Sequence, residues 1–335
     1  MEQLISYGFF LLKTATLILG LLVLLLGIVA ILSKGKKEGK GSLSVEKLND
    51  KYQRIKDHTL QVILSKKDYK KYCKQQKTGT KKQQQSDRKR VFLIEFNGDL
   101  RANAVSSLRE EISAILGVAK NSDEVVVLLE SPGGVVNTYG LGASQLSRIR
   151  EEGIPLTVII DKVAASGGYL MASVANKIIA APFAFVGSIG VVGQLPNFHR
   201  YLKKHAIDYE LHTAGEYKRT LTMLGENDNK GRDKFQEEIQ AIHDYFKEFI
   251  QHYRPQLDIT KVATGEHWLA TDGYHLKLVD QLLTSDDYLS RASKECDIFK
   301  VSYRHKKHLS EKVAANFRAL QQSIFDGFRQ SKEFL

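Results

Sequence analysis

From residue 91 onward, apolar runs of strand length alternate with stretches of helical spacing, and no other property of the sequence restricts the fold so tightly. Residues 91–96, 125–129, 156–160 and 178–181 read as strands, while 105–118, 138–150 and 169–174 repeat their apolar positions with the period of a helix. Strands separated by helices need crossover connections, so the predicted fold is α/β with a largely parallel sheet covered on its faces. Further on, 197–205 reads as a short helix, 208–213 as a strand and 230–253 as a long amphipathic helix. No internal repeat points to a second copy of the fold.

The densest chemistry lies in 161–175, DKVAASGGYLMASVA. A strand runs into Ala164, Ala165, Ser166, Gly167 and Gly168 and then into a helix, which puts the Ser166 hydroxyl at a strand-to-helix turn. The first N–H groups of a helix have no internal partner, and its dipole favours negative charge there. Ser166 therefore suits a nucleophile, with the Gly167 N–H available to a developing oxyanion. It suits a helix N-cap as well. The step Ser131-Pro132-Gly133-Gly134 follows the preceding strand and lacks both the dinucleotide spacing and the Lys-Ser/Thr of a phosphate loop. Ligands of open α/β sheets collect at strand carboxyl ends, so this turn and Ser166 are expected to face one pocket, where a tight Gly-Gly turn can present a second N–H beside that of Gly167. A plain turn is the other reading of the same residues.

A serine nucleophile needs a base. His199, His205 and His212 fall in a predicted helix or strand without an acid partner, and no HExxH or Cys-His spacing suggests zinc. Lysine is the other base used with serine, and Lys218 follows the predicted strand 208–213. Working at neutral pH would require its amine to fall from about 10.4 toward 7, a shift worth roughly 4 to 5 kcal/mol of desolvation. As an isolated residue it equally fits an exposed surface charge. Cys73 and Cys296 match no disulfide framework. No metal or organic cofactor is called for.

The amino-terminal end has a different character. Residues 14–32, TATLILGLLVLLLGIVAIL, carry no charge over 19 positions, and 9–12 extend the apolar run across Lys13. This length predicts one transmembrane helix over 9–32 after a short tail, 1–8, and no A-x-A site marks it as a cleaved signal. Lys34, Lys36, Lys37 and Lys40 follow the span, which by the positive-inside rule argues for a cytoplasmic carboxyl side.

The net charge of +11 is concentrated in 33–90, which holds 19 Lys and Arg against 6 Asp and Glu. A basic tract beside an apolar segment, without interleaved aromatics, fits anionic lipid and not nucleic acid. Within this connector 45–72 predicts one or two amphipathic helices, and 74–89 reads as a flexible tether. A catalytic domain is predicted over 91–290, followed by a helical extension over 291–335.

Taken together, Ser131-Pro132-Gly133-Gly134, Ala164-Ala165-Ser166-Gly167-Gly168-Tyr169, Gly187-Ser188-Ile189-Gly190-Val191, Tyr217-Lys218, Thr264-Gly265-Glu266 and Leu278-Val279-Asp280 resemble the signal peptide peptidase A family in order and spacing. With the anchor and basic connector ahead, the likeness is to its SohB-like branch of bacterial inner-membrane peptidases. The resemblance implies a ClpP/crotonase-like fold and a Ser-Lys dyad. In it Ser166 would be the nucleophile, Lys218 the general base, Ser188 the residue that orients Lys218, and Gly134 and Gly167 the oxyanion donors. It further implies polypeptide substrates, a periplasmic catalytic face and a homo-oligomer whose dyads can join two subunits. Two departures stand out: Glu216 lies two positions before Lys218, with Arg219 and Thr220 after it, and Lys277 occupies the glycine position before Leu278-Val279-Asp280. In an extended strand Glu216 would share a face with Lys218 and keep it protonated, so a bend is expected there.

Overall fold

The computed structural model describes residues 2–33, 41–83 and 88–305. The chain divides into two compact units, Met1–Ser42 with Arg304–Leu335, and Leu43–Tyr303. In the first, α1 (Glu2–Ser33) is one unbroken helix. Among the described residues no helix is long and apolar enough to cross a membrane. The described side chains of α1 run without a break only from Ser6 to Leu21, so they cover part of the predicted span.

The second unit begins with β1 (Ser42–Lys47), α2 (Leu48–Ile63) and α3 (Lys66–Gln83). An alternating series follows: β2 (Arg90–Asn97), α4 (Val105–Leu116), β3 (Glu124–Glu130), α5 (Val136–Glu151), β4 (Leu156–Ile160), β5 (Val163–Ala165), α6 (Gly167–Ser173), β6 (Lys177–Ala180) and β7 (Phe185–Gly187). Then come α7 (His199–Lys204), α8 (Asn229–Tyr253), α9 (Ile259–Val262), β8 (His267–Leu269), α10 (Ala270–His275), β9 (Gln281–Leu282), α11 (Ser285–Glu295) and β10 (Asp297–Arg304).

Seven strands form the main sheet in the order β1-β10-β2-β3-β4-β6-β9, and β2 pairs in parallel with both β10 and β3. The β3-β4, β4-β6 and β6-β9 pairs are parallel too, as the crossover pattern requires. A small sheet, β5-β7-β8, stands apart from it. Strand residues alternate between two cores. Phe92, Ile94, Phe96, Val125, Val127, Val158 and Ile178 pack with α4, α5, α6 and α8. Their neighbours Val91, Leu93, Val126, Ile159 and Ile179 pack with Leu48 of α2 and Leu289 of α11. A sheet buried on both faces explains why these strands read as continuous apolar runs.

Three expectations need correction. Residues 208–213 form no strand; they are exposed and join neither sheet among the described residues, and an exposed backbone can satisfy its polar groups with water. The tether predicted over 74–89 is helical as far as Gln83, because α3 continues through it. The helical extension predicted from 291 is, over its described part, the end of α11 and then β10, which joins the sheet beside β2. The rest of it lies outside the described residues.

Candidate active site

Ser166 sits between β5 and α6 with φ +52° and ψ −122°, a backbone region that L-residues avoid. Two main-chain bonds hold it there: its N–H donates to the Gly187 carbonyl at 2.8 Å, and its carbonyl accepts from the Leu170 N–H at 2.9 Å. Although it occupies the N-cap position of α6, its side chain makes no capping hydrogen bond. The N-cap reading therefore fails, and a half-buried hydroxyl points into a cleft that it helps to line.

The Ser131 to Gly134 turn is fastened against this residue. Ser131 bridges to the small sheet, its N–H donating to Val163 at 2.8 Å and its carbonyl accepting from Ala165 at 3.0 Å. Gly133 has φ +91°, and a β-carbon there would lie 2.7 Å from both the Ala165 carbonyl and the Ser166 side chain. Only glycine lets the turn pass so close. Among the described residues the N–H groups of Gly134 and Gly167 donate to nothing, and both glycines line the cleft with Ser166. Two free donors flanking one hydroxyl is an arrangement able to stabilise an oxyanion.

A buried chain of hydroxyls supports the turn, and the sequence reading missed it. The Gly133 N–H donates to Ser131 Oγ at 3.1 Å, and that oxygen lies 2.5 Å from the Tyr139 hydroxyl. Tyr139 in turn donates to the Asp99 carbonyl at 2.8 Å, which fixes the direction of the chain. Burial raises the Tyr139 pKa, so the phenol stays a donor at neutral pH. The only hint in the sequence was a tyrosine on an apolar helix stripe, which core packing alone would account for.

The cleft measures about 360 Å³. Its far wall is α8, which contributes Ile242, Tyr245, Phe246 and Phe249 at helical spacing, and its floor includes Val136 and Leu170. An apolar side chain of an extended polypeptide would be desolvated here. Among the described residues no lysine, histidine or carboxylate lines it.

The other predicted residues divide. Ser188, with φ +52°, is held next to the Gly187 carbonyl that binds Ser166, and its own N–H donates to Glu266 at 2.6 Å. Thus the motifs around Ser188 and Glu266 meet on β7 and β8. Lys218 is not brought to the cleft: it is exposed, in a segment without regular structure, and not at a strand end as expected. The expected bend is present, with the Lys218 N–H donating to Gly215 at 3.2 Å. Glu216 is paired with Lys230 at 2.6 Å, and this hydrogen bond and charge hold its carboxyl below the usual range. Lys277 takes the left-handed conformation its glycine-like position demands, φ +64°, and its carbonyl accepts from Arg254 at 2.9 Å. Arg254 is fully buried and forks onto Asp280, both contacts at 2.7 Å. That gives Asp280 of the Leu-Val-Asp motif a structural task at the carboxyl end of α8.

A serine at a strained strand-to-helix turn, beside unpaired amides and an apolar cleft, defines the class of α/β protein equipped for acyl transfer. The profile of the Peptidase family S49 N-terminal region matches residues 2–146 and that of Peptidase family S49 matches 148–298. The chain belongs to peptidase family S49. It is similar to Probable protease SohB of Haemophilus influenzae, 44% identical with 100% of this chain and 99% of the relative covered. Probable protease SohB of Buchnera aphidicola subsp. Acyrthosiphon pisum is 46% identical over 94% of each chain. Among solved structures, a mutant of the 1510-N membrane-bound stomatin-specific protease in complex with a substrate peptide aligns at 12% identity and a TM-score of 0.44, covering 69% of this chain and 99% of that one.

Proposed function

We propose that this chain is a membrane-anchored serine endopeptidase of the bacterial inner membrane, with a ClpP/crotonase-like scaffold and a Ser-Lys dyad. The observation that carries the proposal is Ser166 itself, its hydroxyl unbonded between the free N–H groups of Gly134 and Gly167. In this reading Lys218 takes the Ser166 proton and the alkoxide attacks a peptide carbonyl. The negative oxygen forms between the two amides, the amine leaves, and water then hydrolyses the acyl-enzyme. Ser188 orients the lysine.

Because Lys218 is exposed in the single chain, the dyad is assigned to two subunits, Lys218 of one copy entering the cleft of the next. Exposed Val192, Phe198, Tyr209 and Leu211 in the same stretch suit burial in such an interface. Anchoring is assigned to α1, on the uncharged run 14–32. The apolar cleft fits signal-peptide remnants or misfolded, membrane-derived polypeptides. The two SohB relatives are named as probable proteases, in keeping with this reading.

The same exposure of Lys218 is what a catalytically silent scaffold of this fold would display. Fluorophosphonate labelling of the detergent-solubilised oligomer separates the two. Labelling that disappears in both Ser166→Ala and Lys218→Ala supports the peptidase, and an unlabelled wild type assigns the scaffold.

A further inference from the structure

Among the described residues, the hairpin of α2 and α3 is fastened to the catalytic unit through the start of α2. Asn49 donates to the carbonyls of Ser293 and Cys296 and accepts from the Ile298 N–H, so the start of α2 is bonded to α11 and β10. Leu48 and Tyr52 complete that face in the smaller core. The two helices are then tied to each other through Asp57, which accepts from Gln53 at 2.8 Å and from Tyr72 at 3.0 Å. Asp68 closes the turn between them by accepting from the Ser65 hydroxyl at 2.6 Å.

The opposite side of the hairpin carries what this packing leaves over. Ile55, Val62 and Ile63 are 55%, 77% and 71% exposed, and helical spacing puts Ile55 and Val62 on one stripe that ends at the turn. Directly after the turn come Lys66, Lys67, Lys70 and Lys71, all exposed, and among the described residues none of them is in an ion pair. Over 48–83 there are eleven Lys and Arg against three Asp, two of which serve the internal bonds just described. A solvated helix would leave its outer face polar, and an ordinary protein interface depletes lysine. Exposed β-branched residues edged by unneutralised lysines match a bilayer with anionic headgroups, where the apolar tips enter the acyl boundary and the ammonium groups meet phosphates.

We infer that the α2–α3 corner, Val62 and Ile63 with Lys66, Lys67, Lys70 and Lys71, is a docking surface for an anionic bilayer. It would hold the catalytic unit against the membrane by a contact separate from the span. The inference rests on the reading of α1 as the anchor, in which the span closes at residue 32 and β1 opens soon after, at Ser42. A single attachment through the span would leave the cleft free to face any direction. The corner gives the linked unit a second attachment, and two weak attachments on one chain act together.

The test uses the full-length chain with Cys73 and Cys296 replaced by serine and a bimane fluorophore on Ile63→Cys, or on Val118→Cys as the exposed control. Each is reconstituted into vesicles with brominated acyl chains, either of phosphatidylglycerol and phosphatidylcholine in equal parts or of phosphatidylcholine alone. Quenching at position 63 in the anionic vesicles is expected to be at least about twofold that at position 118 and that in phosphatidylcholine. It should fall to the control level in the K66E, K67E, K70E, K71E variant. Incorporated chain with equal quenching at both positions overturns the docking surface and leaves the anchor standing. Chain that never enters the vesicles overturns both. A label already shielded in detergent and untouched by brominated lipid assigns the corner to a second copy of the chain, which also overturns it.

Discussion

At Ser166 a side chain occupies backbone space in which glycine would be at ease, and φ +52° with ψ −122° stores on the order of 1 to 3 kcal/mol of strain. A structural cap would justify that strain by a hydrogen bond, and Ser166 makes none with its side chain. Ser166→Gly should therefore stabilise the protein by about 1 kcal/mol in urea unfolding while abolishing fluorophosphonate labelling. A loss of stability on that substitution would mean the hydroxyl holds the turn. Tyr139 argues in the other direction. Its hydroxyl links Ser131 to the Asp99 carbonyl, and Tyr139→Phe leaves the buried Ser131 hydroxyl without its acceptor and the part-buried Asp99 carbonyl without its donor, at a cost of about 1 to 3 kcal/mol. Because the chain of hydroxyls ends on the Gly133 N–H, next to the Gly134 donor, the variant is expected to lower kcat about tenfold or more with KM little changed. Peptide-cleavage kinetics on the folded variant would check it. Equal losses in kcat and in unfolding amplitude would reduce Tyr139 to a core residue.

The start of β3 shows how one element depends on pH. Asp123 is almost wholly buried; burial pushes its carboxyl up, but the Arg90 fork at 2.5 and 3.1 Å and the Lys120 N–H outweigh it and hold the pKa low. Glu124 behaves alike: burial raises it, and hydrogen bonds from Lys89, Tyr288 and Thr157 bring the balance below its ordinary value. A carboxylate with a depressed folded pKa stabilises fully above its unfolded pKa, and the contribution vanishes as pH falls through the folded value. The contribution of this pair should thus be level above about pH 5 and decline below about pH 4.5. Asp123→Asn should cost about 1 to 3 kcal/mol at pH 7, and the urea midpoints of variant and wild type should converge on acidification. Parallel curves down to acid would show that the pair does not drive the loss. Elements like β3 and β4 were legible in the sequence because burial on both faces leaves an uninterrupted apolar run. β10 was not, since DIFKVSYR mixes charge into a strand that is only half-buried beside β2. Ser166, Gly134 and Gly167 were legible as a turn chemistry, whereas the Ser131, Tyr139 and Asp99 chain depends on residues that only folding brings together. The strand expected at 208–213 has the right residues but joins neither sheet among the described residues.

For the molecule as a whole, one copy places the Ser166 hydroxyl in a cleft that, among the described residues, no lysine, histidine or carboxylate lines, and leaves Lys218 exposed elsewhere. If each cleft is completed by Lys218 of the adjoining subunit, activity belongs to the assembly and a dilute monomer is inert. Two dead proteins should then repair each other. In a ring mixed at random from equal amounts of Ser166→Ala and Lys218→Ala, a cleft is intact when its own subunit kept the serine and its neighbour kept the lysine. Each condition holds half the time, so about a quarter of the wild-type activity should return on co-assembly. A dyad closed within one chain returns none, because every subunit lacks one member. Measuring cleavage of a quenched fluorescent peptide after the variants are mixed in denaturant and refolded together separates these outcomes. Separately refolded samples mixed afterwards supply the baseline. Recovery near a quarter also disposes of the scaffold reading, since a fold that never used Lys218 gains nothing from a neighbour's. Zero recovery, with wild-type activity intact, would instead require the segment that carries Lys218 to fold back over its own cleft. The exposed apolar side chains around it would then be buried within each subunit and not between subunits.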